Sequence, residues 1–226
     1  MTTKNDDASA ELLIREVDEE LKQEQLQQIW TKHGSLIVGG AVAIVLAVAG
    51  WQGFNTWQGK QRAAASASYT ASIQQLELGK RDEAVTALGK LVADGPSGYQ
   101  VLAELKLADL KLAAGDREGA AALYDRVAST ASEDIYRELA TLKSAYLKLD
   151  TADPAAIEKM VEKLAVEKSP WRHSAREVQA LAAAKRGDAA KASELFRKIA
   201  DDPAAPQGVR ARAAELLAAT GAKAKG

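Results

Sequence analysis

The chain has 226 residues, a formal net charge of −1, 47% hydrophobic and 27% charged residues, two histidines and no cysteine. Without cysteine there is no disulfide, thiol or zinc-thiolate chemistry, and two histidines supply no HExxH, Cys–His or Ser–His–Asp set. Charges of both signs alternate along the chain and build no basic face for a nucleic acid, and Ala, Leu, Glu, Lys and Arg dominate without period-two β-branched runs, so every expected element is a helix.

From the N-terminus, residues 1–8 are expected as a disordered tail and residues 9–33 as an acidic amphipathic helix. Leu13, Ile14, Val17 and Leu21 share a face that Glu16, Asp18, Glu19 and Glu20 avoid. The first 34 residues sum to −4 and the remainder to +3. An arm this acidic is repelled by anionic lipid. A protein partner, a self-paired coil, or a solvated helix leading into the next segment are the readings that remain.

Residues 34–57 are expected as a transmembrane helix. No Asp, Glu, Lys or Arg occurs between Lys32 and Lys60. At ~1.5 Å per residue, about 20 residues cross a hydrocarbon layer ~30 Å thick, and Ser35 to Phe54 supplies them. Trp30 on one side and Trp51 and Trp57 on the other suit the two headgroup layers. The acidic leader has the wrong flank for a cleaved signal sequence, so an uncleaved signal anchor is expected. Arg15, Lys22 and Lys32 precede the span and Lys60 and Arg62 follow it. That excess of one favours a cytoplasmic N-terminus. Gly39, Ala43, Ala47 and Gly50 form a small-residue stripe open to self-pairing, to contact with another membrane helix, or to no role beyond lipid contact.

A repeat follows. Ala84, Ala120, Ala156 and Ala192 lie 36 residues apart. Each follows a small residue twelve positions earlier (Ser72, Ala108, Ser144, Ala180), and each precedes a bulky one four positions later (Leu88, Tyr124, Met160, Phe196). Gly79, Gly115, Thr151 and Gly187 stand five positions before, and Leu91, Val127, Lys163 and Ile199 seven after. Two antiparallel helices approach closely only where both present small side chains, and glycine past the first helix supplies its left-handed cap. LELGKRDEA, LAAGDREGA and AKRGDAAKA therefore read as one turn whose Asp starts the next helix. In the third unit Asp153 caps and Pro154 opens the second helix. DGPSG (94–98), STASED (129–134), EKSP (167–170) and DDPAAPQG (201–208) separate the pairs, and Gln207 to Ala219 closes the stack.

This pattern resembles the tetratricopeptide repeat, stretched to 36 residues. The fold expected is all-α: one transmembrane helix followed by a right-handed solenoid of helix pairs over residues 60–219, with a disordered tail at 220–226. Facing its groove from the first helices would be Tyr69, Ile73 and Leu76, then Leu105, Asp109 and Leu112, then Thr141, Ala145 and Lys148, then Glu177, Leu181 and Lys185. Leu105, Leu112 and Leu181 read equally well as inter-repeat core. Aliphatic anchors among charges of both signs suit an extended segment or a partner helix.

The arm EVDEELKQEQLQQIWTKHG, the apolar run with its paired glycines, the QGFNTWQGKQ exit and the GDREGAAALYDRV turn together resemble the ancillary SecYEG translocon subunit family of Gram-negative bacteria. The resemblance implies an inner-membrane protein with a cytoplasmic arm and a periplasmic repeat domain. Its partners would be translocon subunits and a membrane-anchored periplasmic chaperone of the prolyl-isomerase type. The expected function is a scaffold that holds that chaperone, or emerging chains, at the translocon. The rival is an assembly or structural factor for another envelope complex, in cell division or outer-membrane protein insertion. No catalytic residue, metal, cofactor, small-molecule substrate or nucleic acid is expected. His173 reads as a surface or capping residue, and Asp201 and Asp202 as loop and cap carboxylates.

Overall fold

The computed structural model describes the backbone of residues 3–223 and the side chains of residues 27 and 30–220. The apolar face of the acidic arm, Leu13 to Leu21, therefore lies outside the described side chains. Among the described residues there is no strand. Helix α1 runs from Thr3 to Glu77, so its backbone is already helical within the segment expected as a tail, and it continues without a break through the arm and the apolar run into the first repeat.

The chain divides into two compact units, residues 1–60 and 61–226. In the first, helix hydrogen bonding satisfies the backbone, and Thr31 and Thr56 return their hydroxyls to the carbonyls of Gln27 and Gln52 at 2.9 and 2.8 Å. An apolar window of mean hydropathy 2.1, with none of it buried, makes this helix long and apolar enough to cross a membrane. Gly39, Ala43, Ala47 and Gly50 are all exposed.

The second unit begins with the last turns of α1 and continues through α2 (Arg81–Asp94), α3 (Ser97–Ala113), α4 (Arg117–Thr130), α5 (Asp134–Lys148), α6 (Pro154–Val161), α7 (Arg172–Lys185), α8 (Ala189–Ala200) and α9 (Gln207–Lys223). A short 3-10 turn, Glu162–Leu164, follows α6, and α9 runs past Ala219. The core is a row of four small clusters, each built from three successive helices. Helices α3, α5 and α7 each contribute to two neighbouring clusters. This nearest-neighbour organisation is what defines a helical-repeat domain.

The turns follow the sequence pattern with one exception. Gly79, Gly115 and Gly187 have φ of +74°, +85° and +87°. Alanine in that left-handed region costs about 1 kcal/mol. Gly115→Ala and Gly187→Ala are each expected to lower stability by about that amount in a urea titration, whereas the exposed mid-helix Gly89, with open space at its Cβ position, gains on substitution by alanine. Asp116 and Asp188 cap α4 and α8, accepting the amides of Gly119 at 2.8 Å and Lys191 at 3.0 Å. The Lys111 ammonium holds the Asp116 carboxyl below the usual carboxylate range, and the cap amide adds to the effect. At Asp188 the cap amide contributes most and Arg186 adds to it. The exception is α2, whose N-cap is Lys80 without a side-chain cap, so Asp82 serves only as an acid in the first turn.

The third unit corrects the repeat register. Ala84, Ala120 and Ala192 are fully buried opposite the equally buried Ser72, Ala108 and Ala180, but Ala156 is exposed. Ile157, Val161 and Leu164 are buried instead, each one position beyond the column. Asp150–Ala152 and the Asp153 cap lengthen this turn, and Pro154 fixes the start of α6, so the helix enters rotated by one residue. The break at Lys163 belongs to this shift: Lys163 is exposed and Leu164 takes its place in the core.

Candidate protein-binding face

The expected groove residues fall into three groups. Tyr69, Ile73, Leu76, Leu105, Leu112, Thr141 and Leu181 are half-buried. Tyr69 packs against the cluster of Leu88 and Leu91, with its ring 6.3 Å from that of Tyr99. Burial, with a smaller contribution from Asp109, raises its phenol pKa. Leu105 and Leu112 pack against the α3–α4–α5 cluster and Leu181 against the α7–α8–α9 cluster. They thus serve as inter-repeat core while keeping partial exposure. Thr141 returns its hydroxyl to the Arg137 carbonyl at 2.8 Å.

Ala145 and Glu177 correct the expectation, since both are closed to a partner at 0% and 2% exposure. Glu177 Oε1 and Oε2 accept Arg212 Nε and Nη2 at 2.9 and 3.0 Å, and Tyr146 donates its hydroxyl to Oε2 at 2.8 Å. One carboxylate thereby joins α5, α7 and α9.

The remaining charged positions also hold neighbouring helices together. Asp109 accepts the Tyr124 hydroxyl and, at 2.7 Å, Lys143 Nζ, which lies 5.2 Å over the Tyr124 ring. Lys148 donates to Asp125 at 2.6 Å, and Lys185 reaches the Leu149 carbonyl at 2.5 Å. Arg81 donates to the Leu110 carbonyl, and Arg117 to that of Leu147 at 3.3 Å, so both guanidiniums meet the negative end of the next first helix. His173, expected at the surface or in a cap, is buried, with Nε2 2.7 Å from Asp202 Oδ2. Asp202 Oδ1 also accepts the Ala204 amide, as a loop carboxylate would.

Sequence reading missed Tyr124, Lys143, Tyr146 and Arg212 as members of these networks. A signal existed: Asp109–Lys143 are separated by 34 residues, Glu158–Lys191 by 33 and Glu177–Arg212 by 35, all close to one repeat. Opposite charges at that offset meet because successive helix pairs stack in register.

Burial first, and the neighbouring carboxylate second, push the Tyr124 and Tyr146 phenols well above the ordinary range. Because the folded values are raised, the stability these groups contribute is fully present below the unfolded pKa of about 10 and is lost as pH rises through the folded values. In an absorbance titration of the five tyrosines, two are expected to ionise late, together with unfolding, and Tyr146→Phe should remove one of them.

With helix pairs stacked in this way, the comparison with known families is direct: the profile of the tetratricopeptide repeat-like domain family matches residues 27–198. The chain belongs to that family. Tetratricopeptide repeat-like domains mediate protein–protein contacts and are typically non-catalytic scaffolds. No curated protein and no solved structure matches the chain.

Proposed function

We propose that the protein is a membrane-anchored scaffold at the bacterial secretory translocon, with the arm in the cytoplasm and the tetratricopeptide repeat-like domain in the periplasm. There it holds a chaperone of the prolyl-isomerase type, or emerging chains, beside the channel. The observation that carries this reading is a wholly exposed apolar helix whose C-terminal turns are the first helix of a protein-binding repeat domain. In water that surface is unfavourable, whereas in lipid it is at its lowest free energy and its backbone is already satisfied. Anchoring then raises the local concentration of a weak partner to roughly the millimolar range. The residues proposed to meet the partner are the half-buried Tyr69, Ile73, Leu76, Leu105, Leu112 and Thr141, with Asp109, Lys148 and Lys185 as a polar border.

A photocrosslinker at Tyr69 or Leu105 of the full-length chain in cells is expected to capture translocon subunits or a periplasmic folding factor. Capture of a cell-division or outer-membrane insertion complex would establish the rival role, and a repeat domain digested only in inside-out vesicles would overturn the orientation.

A further inference from the structure

The second and fourth repeat units share a register and differ at one place. In the second, the α3–α4–α5 cluster is edged by Leu112 and Leu147, and at its margin Asp109 accepts the hydroxyl of the cluster's Tyr124 and the ammonium of Lys143. The left-handed turn glycines align Gly115 with Gly187, and the buried columns align Ala120, Tyr124 and Val127 with Ala192, Phe196 and Ile199. Tyr136 and Ala140 of α5 correspond to Val209 and Ala213 of α9, which occupy the same places in the last cluster. By that alignment Leu181, Phe196 and Leu216 replace Asp109, Tyr124 and Lys143. Ala184 and Thr220 replace Leu112 and Leu147, and Ala189 replaces Arg117.

Each change removes volume, charge, or both. The result is a partly enclosed cavity of about 360 Å³ lined by Leu181, Ala184, Ala189, Phe196, Leu216 and Ala219. The hydroxyl of Thr220, also on its wall, is spent on the Leu216 carbonyl at 2.7 Å. Among the described residues no charged side chain lines it, whereas the aligned positions of the second unit include the charged Asp109, Arg117 and Lys143. Mostly apolar walls favour an apolar occupant over water, and this volume sits at the lower end of ligand sites.

We propose that the fourth unit carries a pocket for an uncharged hydrocarbon side chain, Phe or Leu in type, presented by a bound polypeptide. The neutral walls match a neutral occupant and reject a charged one, since a buried charge there would find no partner. The space suits one or two large side chains and is too small for a helix. The inference rests on the protein-binding reading and gives it a specific anchor point.

The test uses the full-length chain in lipid nanodiscs with methyl-labelled leucine, titrated with N-acetyl-phenylalanine amide, N-acetyl-leucine amide, N-acetyl-aspartate amide and benzene. Saturable shifts of the Leu181 and Leu216 methyls are expected with the first two and not with the aspartate derivative. Ala184→Leu with Thr220→Leu restores the residues of the second unit and should weaken binding at least ~10-fold. Ala189→Arg, which places at this site the residue type found at Arg117, gives a second blocked form if the first does not fold. Absence of saturable shifts, equal binding in a folded blocked form, or binding of benzene alone would overturn the proposal. Capped amino acids need no partner protein, so a failed titration leaves the scaffold reading to its own crosslinking experiment.

Discussion

Arg212→Ala is expected to lower the stability of the repeat domain by about 3 kcal/mol, because it leaves a buried carboxylate without its counter-ion. Glu177 is 2% exposed and receives both Arg212 bonds, whereas the Arg212 side chain remains 55% exposed. The arginine can be rehydrated after separation and the glutamate cannot, so removing the arginine is the costlier half of the pair. Tyr146 would still donate to Oε2, but one neutral donor does not offset a desolvated charge. The loss should fall first on α9, whose Val209 and Ala213 cover the last cluster. Hydrogen exchange should then show α8 and α9 opening before α2–α5. In Glu177→Leu with Arg212→Met the penalty should largely disappear, since apolar replacement of a buried pair is often neutral. A cost below about 1 kcal/mol for Arg212→Ala would show that this network does not hold the end of the stack.

Ala120→Leu is expected to cost about 3 kcal/mol, near the upper end for overpacking, while Ala156→Leu should change stability by less than about 0.5 kcal/mol. Both alanines occupy the same column of the repeat. Ala120, however, lies at 0% exposure where α3 and α4 approach over Ala108, and neither helix can retreat without opening the Val101–Tyr124–Val127 cluster. Ala156 faces solvent because α6 has turned by one residue. Paired urea titrations of the two variants test the shifted register. Equal costs would restore the unshifted column.

Much of the fold was legible from residue chemistry. The glycines at 79, 115 and 187, the caps at Asp116, Asp153 and Asp188, and the linkers at 94–98, 129–134, 167–170 and 201–208 are local signals, and they mark the observed turns. The buried columns at Leu88, Tyr124 and Phe196 were legible because close helix packing imposes the same volume at each repeat. The candidate face was less so. A helical wheel assigns Glu177 and Ala145 to the inner side of a first helix, yet whether that side is a groove or a joint depends on how near the next pair stands.

The sequence by itself determined the helical state, the uncharged apolar stretch, the 36-residue period and the three glycine turns, since each depends on backbone preference or on side chains a few positions apart. Only the tertiary structure decided the rotation of α6, the burial of Glu177 beneath Arg212 and Tyr146, the burial of His173, and the cavity left where Ala184 and Thr220 replace leucines. Those features depend on the distance and angle between successive helix pairs. That spacing is set by the summed packing of three helices at a time, and no local stretch of the chain contains it.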